Sequence, residues 1–323
     1  MNFKPVGSSG AVEGFCLVKS LEVKKTAKGL PYLDLTLTDS TGEINGKLWD
    51  YKEDIHGDIK VNNVVKIRGT ESMFNDMPQL RVDRIRPALA SDNVKIEDFV
   101  PSSEYSGESM FDIIYSTAEN FENKELKNLV TAILSENKEA LTVCPAAFKL
   151  HHAIRGGLMY HTLSVMRLAE KVSDIYPSVD RELLLSGVIL HDVAKIWEFD
   201  VSDAGVVTGY TVEGMLIGHL VKGTMNIEKK GRELGTDPNT LMLIEHMVLS
   251  HHGEPEFGAA VRPMFLEAEI LSQLDMLDAR IYEITSATGE VGSGEFTARQ
   301  WALENRKLYN PGIKEIKPKA NLL

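Results

Sequence analysis

The spacing of the apolar residues changes once along this chain, and that change limits the possible folds more than any other feature. From residue 12 to residue 86 apolar and polar residues alternate, most clearly in YLDLTLT from Tyr32 to Thr38, which is the pattern of strands with one buried face. Beyond residue 109 the apolar residues recur at intervals of three and four, which is the pattern of amphipathic helices. The sequence therefore predicts a β-rich domain followed by a mostly α-helical one.

The alternating segments give the first domain, residues 1–88, five predicted strands. A short polar stretch near 51–57 separates the third strand from the fourth. Five strands interrupted at that place are typical of a small all-β barrel of the OB type, which is the fold we predict. A small β-sandwich is the structural alternative. Residues 89–108 follow neither pattern, are rich in serine and contain Pro101, so we expect a linker there.

The α-helical domain is predicted to cover residues 109–310, followed by a basic tail at 311–323. Its helical pattern is interrupted at 197–210, where Asp203, Ala204 and Gly205 suggest the turn of a small hairpin. The apolar helices at 109–141 are candidates for a subunit interface, so a homo-oligomer is considered. The predicted helices span 110–121, 126–141, 158–175, 180–194, 212–234, 238–252 and 263–284.

The chain lacks the sequence features of membrane and secreted proteins. No uninterrupted apolar stretch approaches the ~20 residues needed to span a bilayer, and the first residues show no basic-then-apolar signal pattern. Only two cysteines, Cys16 and Cys144, are present, which excludes a disulfide framework. We therefore expect a cytoplasmic protein without a membrane partner.

Charge is distributed unevenly along the chain. The net charge of −12 disfavours a protein that binds nucleic acid over its whole surface. Residues 1–88 carry 13 Lys and Arg against 12 Asp and Glu, whereas the remainder carries 22 against 35. Residues 296–323 are basic again and are a candidate for binding RNA or a neighbouring subunit. A polyanion would therefore be held by local patches or through metal ions.

Eight of the nine histidines lie in the predicted α-helical domain, and the clearest of them is His191. It stands with Asp192 and Lys195 in the segment LHDVAK, at the end of an apolar helix. Burial of these three groups is costly unless they are paired or bound to a metal. Their helical spacing lets all three border one pocket. The alternative for Lys195 is a plain salt bridge to Asp192.

Other histidines and one aspartate stand in similar apolar helical segments. Neutral imidazoles together with carboxylates suit Mn, Fe, Co or Zn better than Mg or Ca. A carboxylate that bridges two such ions would hold them at the separation used for in-line phosphoryl chemistry. The alternative is that each of these histidines is an ordinary core residue and that Asp275 pairs with Arg280. His151 and His152 would then lie on the substrate side or on the surface. The further candidate ligands are His161, His219, His251, His252 and Asp275.

The order of these residues resembles that of the HD-domain metal phosphohydrolases, whose minimal pattern H…HD…D is met by His161, His191-Asp192 and Asp275. The additional histidines resemble the dinuclear branch of that superfamily. Together with the predicted OB-type barrel, the chain is similar to the YhaM-type bacterial 3′–5′ exoribonucleases over nearly its whole length. The resemblance implies an HD core at about 157–284 and Mn²⁺- or Co²⁺-dependent removal of nucleoside 5′-monophosphates from single-stranded 3′ ends.

On this hypothesis the chain holds two divalent metal ions, with Mn²⁺ expected and Co²⁺ or Fe²⁺ as alternatives. Asp192 bridges the ions and is catalytic, together with Lys195, which would stabilise charge on the phosphoryl oxygens. Arg155 is a candidate for bidentate binding of a phosphate. We assign His161, His191 and Asp275 to one ion, and His219, His251 and, left open, His252 to the other.

The barrel offers a candidate surface for the bases of single-stranded RNA or DNA. If Ser40-Thr41 forms the tip of the hairpin, Tyr32 lies opposite Trp49 and Lys47 lies on the same polar face. Base stacking on aromatic rings tolerates any sequence. The alternative is that the aromatic pair only stabilises the sheet. Residues expected to flank a bound strand are Lys24, Lys25, Lys28, Phe74, Asn75, Gln79 and Arg81.

Two other functions remain open from the sequence. In the first, the chain is an HD phosphohydrolase of small nucleotides, such as a cyclic dinucleotide or a nucleoside triphosphate, and the barrel is a sensor or a scaffold. Alternatively it is a single-strand-binding protein whose HD half is inert, a hypothesis that the complete ligand set disfavours.

Overall fold

The computed structural model describes residues 1–6, 10–39, 41–49, 51–74, 77–148 and 152–312. Ser40, Asn75, His151 and residues 313–323 of the predicted basic tail lie outside the described residues. The chain divides into two compact units. The first contains Met1–Ser102 and Ser202–Val206, and the second contains Ser103–Val201 and the described residues from Val207 onward.

The first unit contains a closed five-stranded barrel. Strand β5 pairs with both β6 and β2, so that the order β2-β3-β4-β6-β5 returns to its start. All neighbours are antiparallel except β4 and β6, which are parallel. This order confirms the predicted OB-type barrel and excludes the sandwich. The elements are β1 (Lys4–Val6), β2 (Ala11–Lys25), β3 (Pro31–Asp39), β4 (Gly42–Trp49), helix α1 (Glu53–His56), β5 (Val64–Phe74) and β6 (Met77–Pro87).

The alternation of β3 and β4 explains how the barrel is filled. Leu33, Leu35 and Leu37 point inward and are at most 1% exposed. Asp39 pairs with Gly42, so the register predicted from the turn is correct. A slip by one residue would move all three leucines to the solvent face, and the buried face therefore fixes this register. The other core residues are Cys16, Val18, Ile44, Leu48, Ile59, Val65, Ile67, Leu80, Val82 and Ile85.

The second unit is mostly helical, as predicted. Its two short strands form the antiparallel hairpin expected between residues 197 and 210. The elements are α2 (Gly107–Glu119), α3 (Lys124–Glu136), α4 (Lys138–Val143), α5 (Gly157–Ile175), α6 (Arg181–Leu190), α7 (Lys195–Glu198), β7 (Phe199–Val201), β8 (Val207–Tyr210), α8 (Val212–Leu234), α9 (Pro238–Ser250) and α10 (Leu266–Gly289).

Two helix predictions were wrong in their bounds, and a third, at 212–234, missed a break at Gly218. The segment 126–141 is not one helix, because α3 ends at Glu136. The side-chain amide of the next residue, Asn137, donates a hydrogen bond of 2.7 Å to the carbonyl of Ile133. The helix predicted at 180–194 ends at Leu190, since the backbone turns at the residues that follow. Apolar residues of α2 and α3, including Phe111 and Leu129, are buried in the core of this unit. Those residues are therefore not the subunit interface that the sequence suggested.

Helix α6 is the central element that places the functional residues. Every residue from Leu183 to Leu190 is buried, which is typical of a helix surrounded by other elements. It contacts α3, α5, α9 and α10. Asp180 caps its start by accepting hydrogen bonds from the amides of Glu182 and Leu183. The residues directly after α6 consequently emerge in the interior of the unit. Among the described residues, no helix has the length and apolarity to cross a bilayer.

Candidate metal centre

The candidate ligands come from five separate elements of the second unit. His161 lies on α5, and His191 and Asp192 directly follow α6. Asp275 lies on α10, and His219 follows a break in α8. At Gly218 the backbone of α8 leaves the helical conformation, with φ 70° and ψ 163°. His251 and His252 directly follow α9.

Each of the five histidines is held through its Nδ1 atom. In His191, His251 and His252 the partner is a backbone carbonyl, which only accepts hydrogen bonds, so Nδ1 carries the hydrogen. The ring then presents Nε2 as its free lone pair, the arrangement found in metal-bound histidines. The five Nδ1 contacts are His161 to Asp278 at 2.7 Å, His191 to the Val188 carbonyl at 2.7 Å, His219 to Glu198 at 3.0 Å, His251 to the Val248 carbonyl at 2.8 Å, and His252 to the Phe257 carbonyl at 3.0 Å.

The first group of potential ligands surrounds Nε2 of His161. This atom lies 3.0 Å from Oδ1 of Asp275 and 3.3 Å from Nε2 of His191. Oδ2 of Asp192 is 3.9 Å from the same atom and 3.3 Å from Nε2 of His191. Potential ligand atoms of His161, His191 and Asp192 lie within 4.8 Å of one another.

The second group consists of His219, His251 and His252, whose potential ligand atoms also lie within 4.8 Å of one another. Oδ1 of Asp192 faces this group, at 3.5 Å from Nε2 of His219 and 3.6 Å from Nε2 of His251. The two oxygens of Asp192 thus point to different groups of imidazoles. All seven residues predicted as ligands from the sequence are brought together.

The chemistry of this cluster fits a divalent cation. Oδ1 of Asp192 and Nε2 of His219 and of His251 are buried and have no hydrogen-bond partner among the described residues. A buried polar atom without a partner costs about 1–3 kcal/mol, and a cation bound to these lone pairs would remove that cost. The donor set of imidazole nitrogens and carboxylate oxygens suits a divalent transition metal.

The electrostatics of the cluster keep both aspartates ionised. Burial alone would raise the pKa of Asp192, but Lys195 and His191 outweigh burial and hold it well below its usual value. Burial likewise opposes ionisation of Asp275, and contacts with His161 and His191 lower its pKa nonetheless. Burial and the neighbouring His251 and His219 lower the pKa of His252 to about 3. The cluster thus presents anionic carboxylates and a neutral His252 at neutral pH.

Lys195 pairs directly with Asp192. Its Nζ lies 2.6 Å from Oδ2 of that residue. Burial lowers the pKa of Lys195, but the charge and hydrogen bond of Asp192 outweigh burial and raise it. The salt bridge considered from the sequence is therefore present. Arg155 is half-buried in the segment before α5, and its carbonyl accepts a hydrogen bond from the Ser103 amide.

Asp278 and Glu198, which lie around the candidate ligands, were not recognised from the sequence, and His152 was left between the substrate side and the surface. Oδ2 of Asp278 contacts Nδ1 of His161 and lies 2.9 Å from Nε2 of His152. His152 is 2% exposed, so it is not a surface residue. Glu198 contacts His219. The only available signal was that Asp278 follows Asp275 by three residues, which places both on one face of a helix.

On the barrel, the predicted aromatic pair is present. The rings of Tyr32 and Trp49 have centroids 4.6 Å apart and planes inclined at 34°. Trp49 is 45% exposed, which leaves part of its ring open to a ligand. Nζ of Lys47 lies 5.5 Å from the Tyr32 centroid and 2.5 Å from Oδ1 of Asp34. The positive charge of Lys47 is therefore already paired.

Comparison with known proteins identifies the family. The family model described as "HD domain" matches residues 158–280. The "3′-5′ exoribonuclease YhaM" of Bacillus pumilus is 38% identical over 299 residues, which is 93% of this chain and 94% of that protein. The protein of the same name from Bacillus subtilis is 36% identical over 300 residues, 93% of this chain and 95% of that protein.

Among solved structures, the HD domain of the phosphodiesterase PgpH from L. monocytogenes matches with a TM-score of 0.29 and 17% identity, over 50% of this chain and 79% of that chain. The two curated relatives are similar over nearly the whole length of both proteins. The resemblance drawn from the sequence is thereby confirmed: the chain belongs to the YhaM family of 3′–5′ exoribonucleases.

Proposed function

We propose that this chain is a metal-dependent 3′–5′ exoribonuclease that hydrolyses the terminal phosphodiester of single-stranded RNA and releases nucleoside 5′-monophosphates. The observation that carries the proposal is the position of Asp192, whose two oxygens face two separate groups of imidazoles. This arrangement is suited to two cations at one carboxylate, as used in phosphodiester hydrolysis. Membership of the YhaM family supports the RNA substrate and the direction.

The proposed ligands follow the two groups. His161, His191 and Asp275 would hold one ion, and His219, His251 and His252 would hold the other. Asp192, whose two oxygens face both groups, would serve as a ligand to both ions. Divalent cations at this place supply electrophilic activation of a phosphoryl oxygen and of the attacking water. We propose Mn²⁺, with Co²⁺ or Fe²⁺ as alternatives, because the donor set combines imidazoles with carboxylates.

The residues of the chain orient this site and exclude bulk water. Hydrogen bonds at Nδ1 fix the direction of each imidazole, so that little reorganisation accompanies binding. Lys195 holds the orientation of Asp192 through their salt bridge and places a positive charge where negative charge develops on the phosphate. We retain Arg155 as a proposed phosphate-binding residue, since a guanidinium can bind two phosphate oxygens at once.

The barrel is proposed to hold the RNA strand. The partly exposed ring of Trp49 beside Tyr32 offers a surface on which one base can stack, and stacking of this kind does not depend on sequence. Lys47 borders the same face. Single-stranded DNA remains a further candidate, because base stacking and phosphate binding do not by themselves distinguish the two nucleic acids.

We also propose a reducing compartment, the cytoplasm, as the place of action. Cys16 and Cys144 are both buried free thiols. Burial raises the pKa of each thiol to about 12, which keeps them protonated and unreactive. Association into a homo-oligomer remains a prediction.

The test uses single-stranded RNA labelled at its 5′ end and the full chain with Mn²⁺. We expect a ladder of labelled products that shorten from the 3′ end, release of nucleoside 5′-monophosphates, and loss of both on addition of a chelator. Asp192→Asn should abolish cleavage but leave RNA binding measurable. Asp174→Asn, which changes an exposed aspartate on α5, should cleave at the wild-type rate. Unchanged RNA in the wild-type reaction, or full cleavage by Asp192→Asn, would contradict the proposal.

A further inference from the structure

The outer face of the β5–β6 hairpin carries four cationic side chains in two opposed pairs. Lys66 pairs with Arg86 and Arg68 pairs with Arg84 across the antiparallel ladder. Side chains paired in this way have Cβ atoms about 5 Å apart, and like charges there are destabilising. A hairpin that places two such pairs side by side incurs a repulsion that a bound anion would relieve. We call these four residues the cation ladder.

A β-bulge is what places Arg84 on this face. Leu80 and Val82 are buried, so strict alternation would turn Arg84 inward. The register shifts between Arg68 and Gly69, which leaves Asp83 as an additional residue on β6. After the bulge Ile85 is buried and Arg84 is exposed. Bulges commonly redirect side chains in this way.

The backbone at the bulge depends on Gly69. A Cβ atom at this position would lie 2.4 Å from the carbonyl oxygen of Arg81, which is closer than real Cβ contacts permit. The tight approach of β5 to β6, and with it the outward direction of Arg84, therefore requires glycine here.

Carboxylates neutralise one pair of the ladder but not the other. Lys66 lies 3.0 Å from Glu13, and Arg86 binds both oxygens of Asp92 at 2.7 and 2.8 Å. In the part of the chain that the structure describes, no carboxylate forms an ion pair with Arg68 or Arg84. Asp83 lies beside them, but it is paired with Arg81 at 3.3 Å. The unpaired positive charge is thus concentrated at Arg68 and Arg84.

These side chains border a cleft in the barrel surface. It has a volume of about 580 Å³, and all four ladder residues line it together with Glu13 and Asp83. Cations therefore outnumber carboxylates at the cleft. The cleft lies on β5 and β6, whereas the aromatic pair Tyr32 and Trp49 lies on β3 and β4, so the two surfaces use different strands.

We propose that the cation ladder binds the phosphate groups of the RNA substrate. Arginine is suited to this task, because its planar guanidinium offers paired donors to phosphate oxygens. Lys66 and Arg68 are two residues apart, or about 6.6 Å along the strand, so the ladder can contact more than one phosphate of an extended strand. Such contacts position the strand without reading its bases. The inference rests on the function proposed above and adds a second substrate-binding surface to it.

The test compares full-length variants, all in the Asp192→Asn background, by fluorescence anisotropy with long single-stranded RNA over a series of salt concentrations. The test variant is Arg68→Gln/Arg84→Gln. Each phosphate contact contributes about 0.7 to the slope of log affinity against log salt for single strands. Loss of two contacts should reduce the slope by about 1.4 and the affinity about 10- to 30-fold at 0.1 M salt. The loss should be equal for poly(U) and poly(A), and smaller for oligonucleotides of a few residues.

Two further variants separate phosphate binding from damage to the fold. Arg68→Lys/Arg84→Lys keeps the charges and should retain most of the salt slope. Lys124→Gln/Lys171→Gln removes two exposed cations from the second unit and should keep both slope and affinity. The Arg68→Gln/Arg84→Gln protein should melt at or above the temperature of its Asp192→Asn parent, since a repulsion has been removed.

The outcomes distinguish this inference from the proposed function. A wild-type chain that does not shorten RNA, together with an Asp192→Asn chain that does not bind it, would overturn both. Cleavage by the wild type and binding by Asp192→Asn, combined with an unchanged salt slope in Arg68→Gln/Arg84→Gln, would overturn the cation ladder alone. An equal loss in the Lys124→Gln/Lys171→Gln control would also overturn it, because the effect would then reflect overall charge.

Discussion

Nδ1 of His161 donates a hydrogen bond of 2.7 Å to Oδ2 of Asp278. Burial alone would raise the pKa of Asp278, but hydrogen bonds from His152 and His161 outweigh burial and lower it to about 2. Asp278 is therefore an anion that accepts, and the hydrogen lies on Nδ1 of His161. Its Nε2 atom is left directed at Asp275 and Asp192. Asp278 is thus a positioning residue for a proposed metal ligand.

Asp278→Asn should weaken metal binding by about 10- to 100-fold, the usual effect of removing the partner of a metal-bound histidine. The amide retains the shape of the carboxyl group but loses the charge that fixes the imidazole. Titration of the metal-free chain with Mn²⁺ in a calorimeter measures the affinity directly. Asp174→Asn, an exposed change on α5, should bind as the wild type does. Equal affinity in Asp278→Asn and wild type would show that Asp278 does not orient His161.

Gly218 is predicted to be indispensable for placing His219. Its φ of 70° and ψ of 163° fall in a region that is accessible essentially only to glycine. Gly218→Ala should cost about 1–3 kcal/mol in the free energy of unfolding, or should release the strain by rotating the adjacent His219 away from Asp192. Thermal unfolding and Mn²⁺ titration together measure the two outcomes.

The matched control for Gly218 is Gly289→Ala, at the end of α10. Apart from its own helix, no described residue has an atom within 4 Å of a Cβ built at Gly289, and its φ is not in the left-handed region, so this change should be nearly neutral. Unchanged melting temperature and unchanged Mn²⁺ affinity in Gly218→Ala would contradict the prediction.

Stability should depend on pH through Glu245 on α9, which shares a hydrogen bond with Glu228 on α8. Burial and the contact with Glu228 raise the pKa of Glu245 to about 7, against a smaller opposing effect of Arg232. A raised carboxyl pKa means that the folded state retains the proton. The stabilisation is therefore fully present below the unfolded value of 4.5 and is lost as the pH rises through about 7.

Glu245→Gln keeps the hydrogen-bonding shape and cannot ionise. The melting temperature of Glu245→Gln minus that of the wild type should increase from pH 5 to pH 8, because only the wild type acquires two neighbouring negative charges. Differential scanning calorimetry at both pH values measures this difference. Glu290→Gln, at an exposed position after α10, should show no such trend. A constant difference for Glu245→Gln would refute the assigned pKa shift.

The clustering of the candidate ligands was predictable because buried imidazoles and carboxylates are costly unless they are paired or bound to a metal. His191 and Asp192 could be selected at the end of an apolar helix for this reason, and the structure brings the other five candidates to them. The barrel was predictable for a similar reason, since the leucines of β3 define one buried face. The resulting register correctly placed Tyr32 opposite Trp49.

Other features depended on contacts that no local pattern encodes. Asp278 and Glu198 contact histidines that lie 117 and 21 residues away in the sequence. The break in α8 at Gly218 was missed because the apolar spacing continues across it. The bulge at Asp83 likewise leaves no mark on composition, although it decides which face carries Arg84. Tertiary packing fixed all of these, so spacing alone could not reveal them.

Trp49 should contribute strongly to RNA binding, because 45% of its surface is exposed beside Tyr32. Stacking on one aromatic ring is worth about 1–3 kcal/mol per base, so Trp49→Ala should reduce affinity by about 5- to 150-fold. Trp49→Phe should recover part of this loss, since a smaller ring still stacks. Fluorescence anisotropy with labelled RNA in the Asp192→Asn background measures both. Tyr176 is 57% exposed on the second unit, and Tyr176→Ala is the matched control that should bind normally. If Trp49→Ala binds as tightly as that control, the aromatic pair only stabilises the sheet.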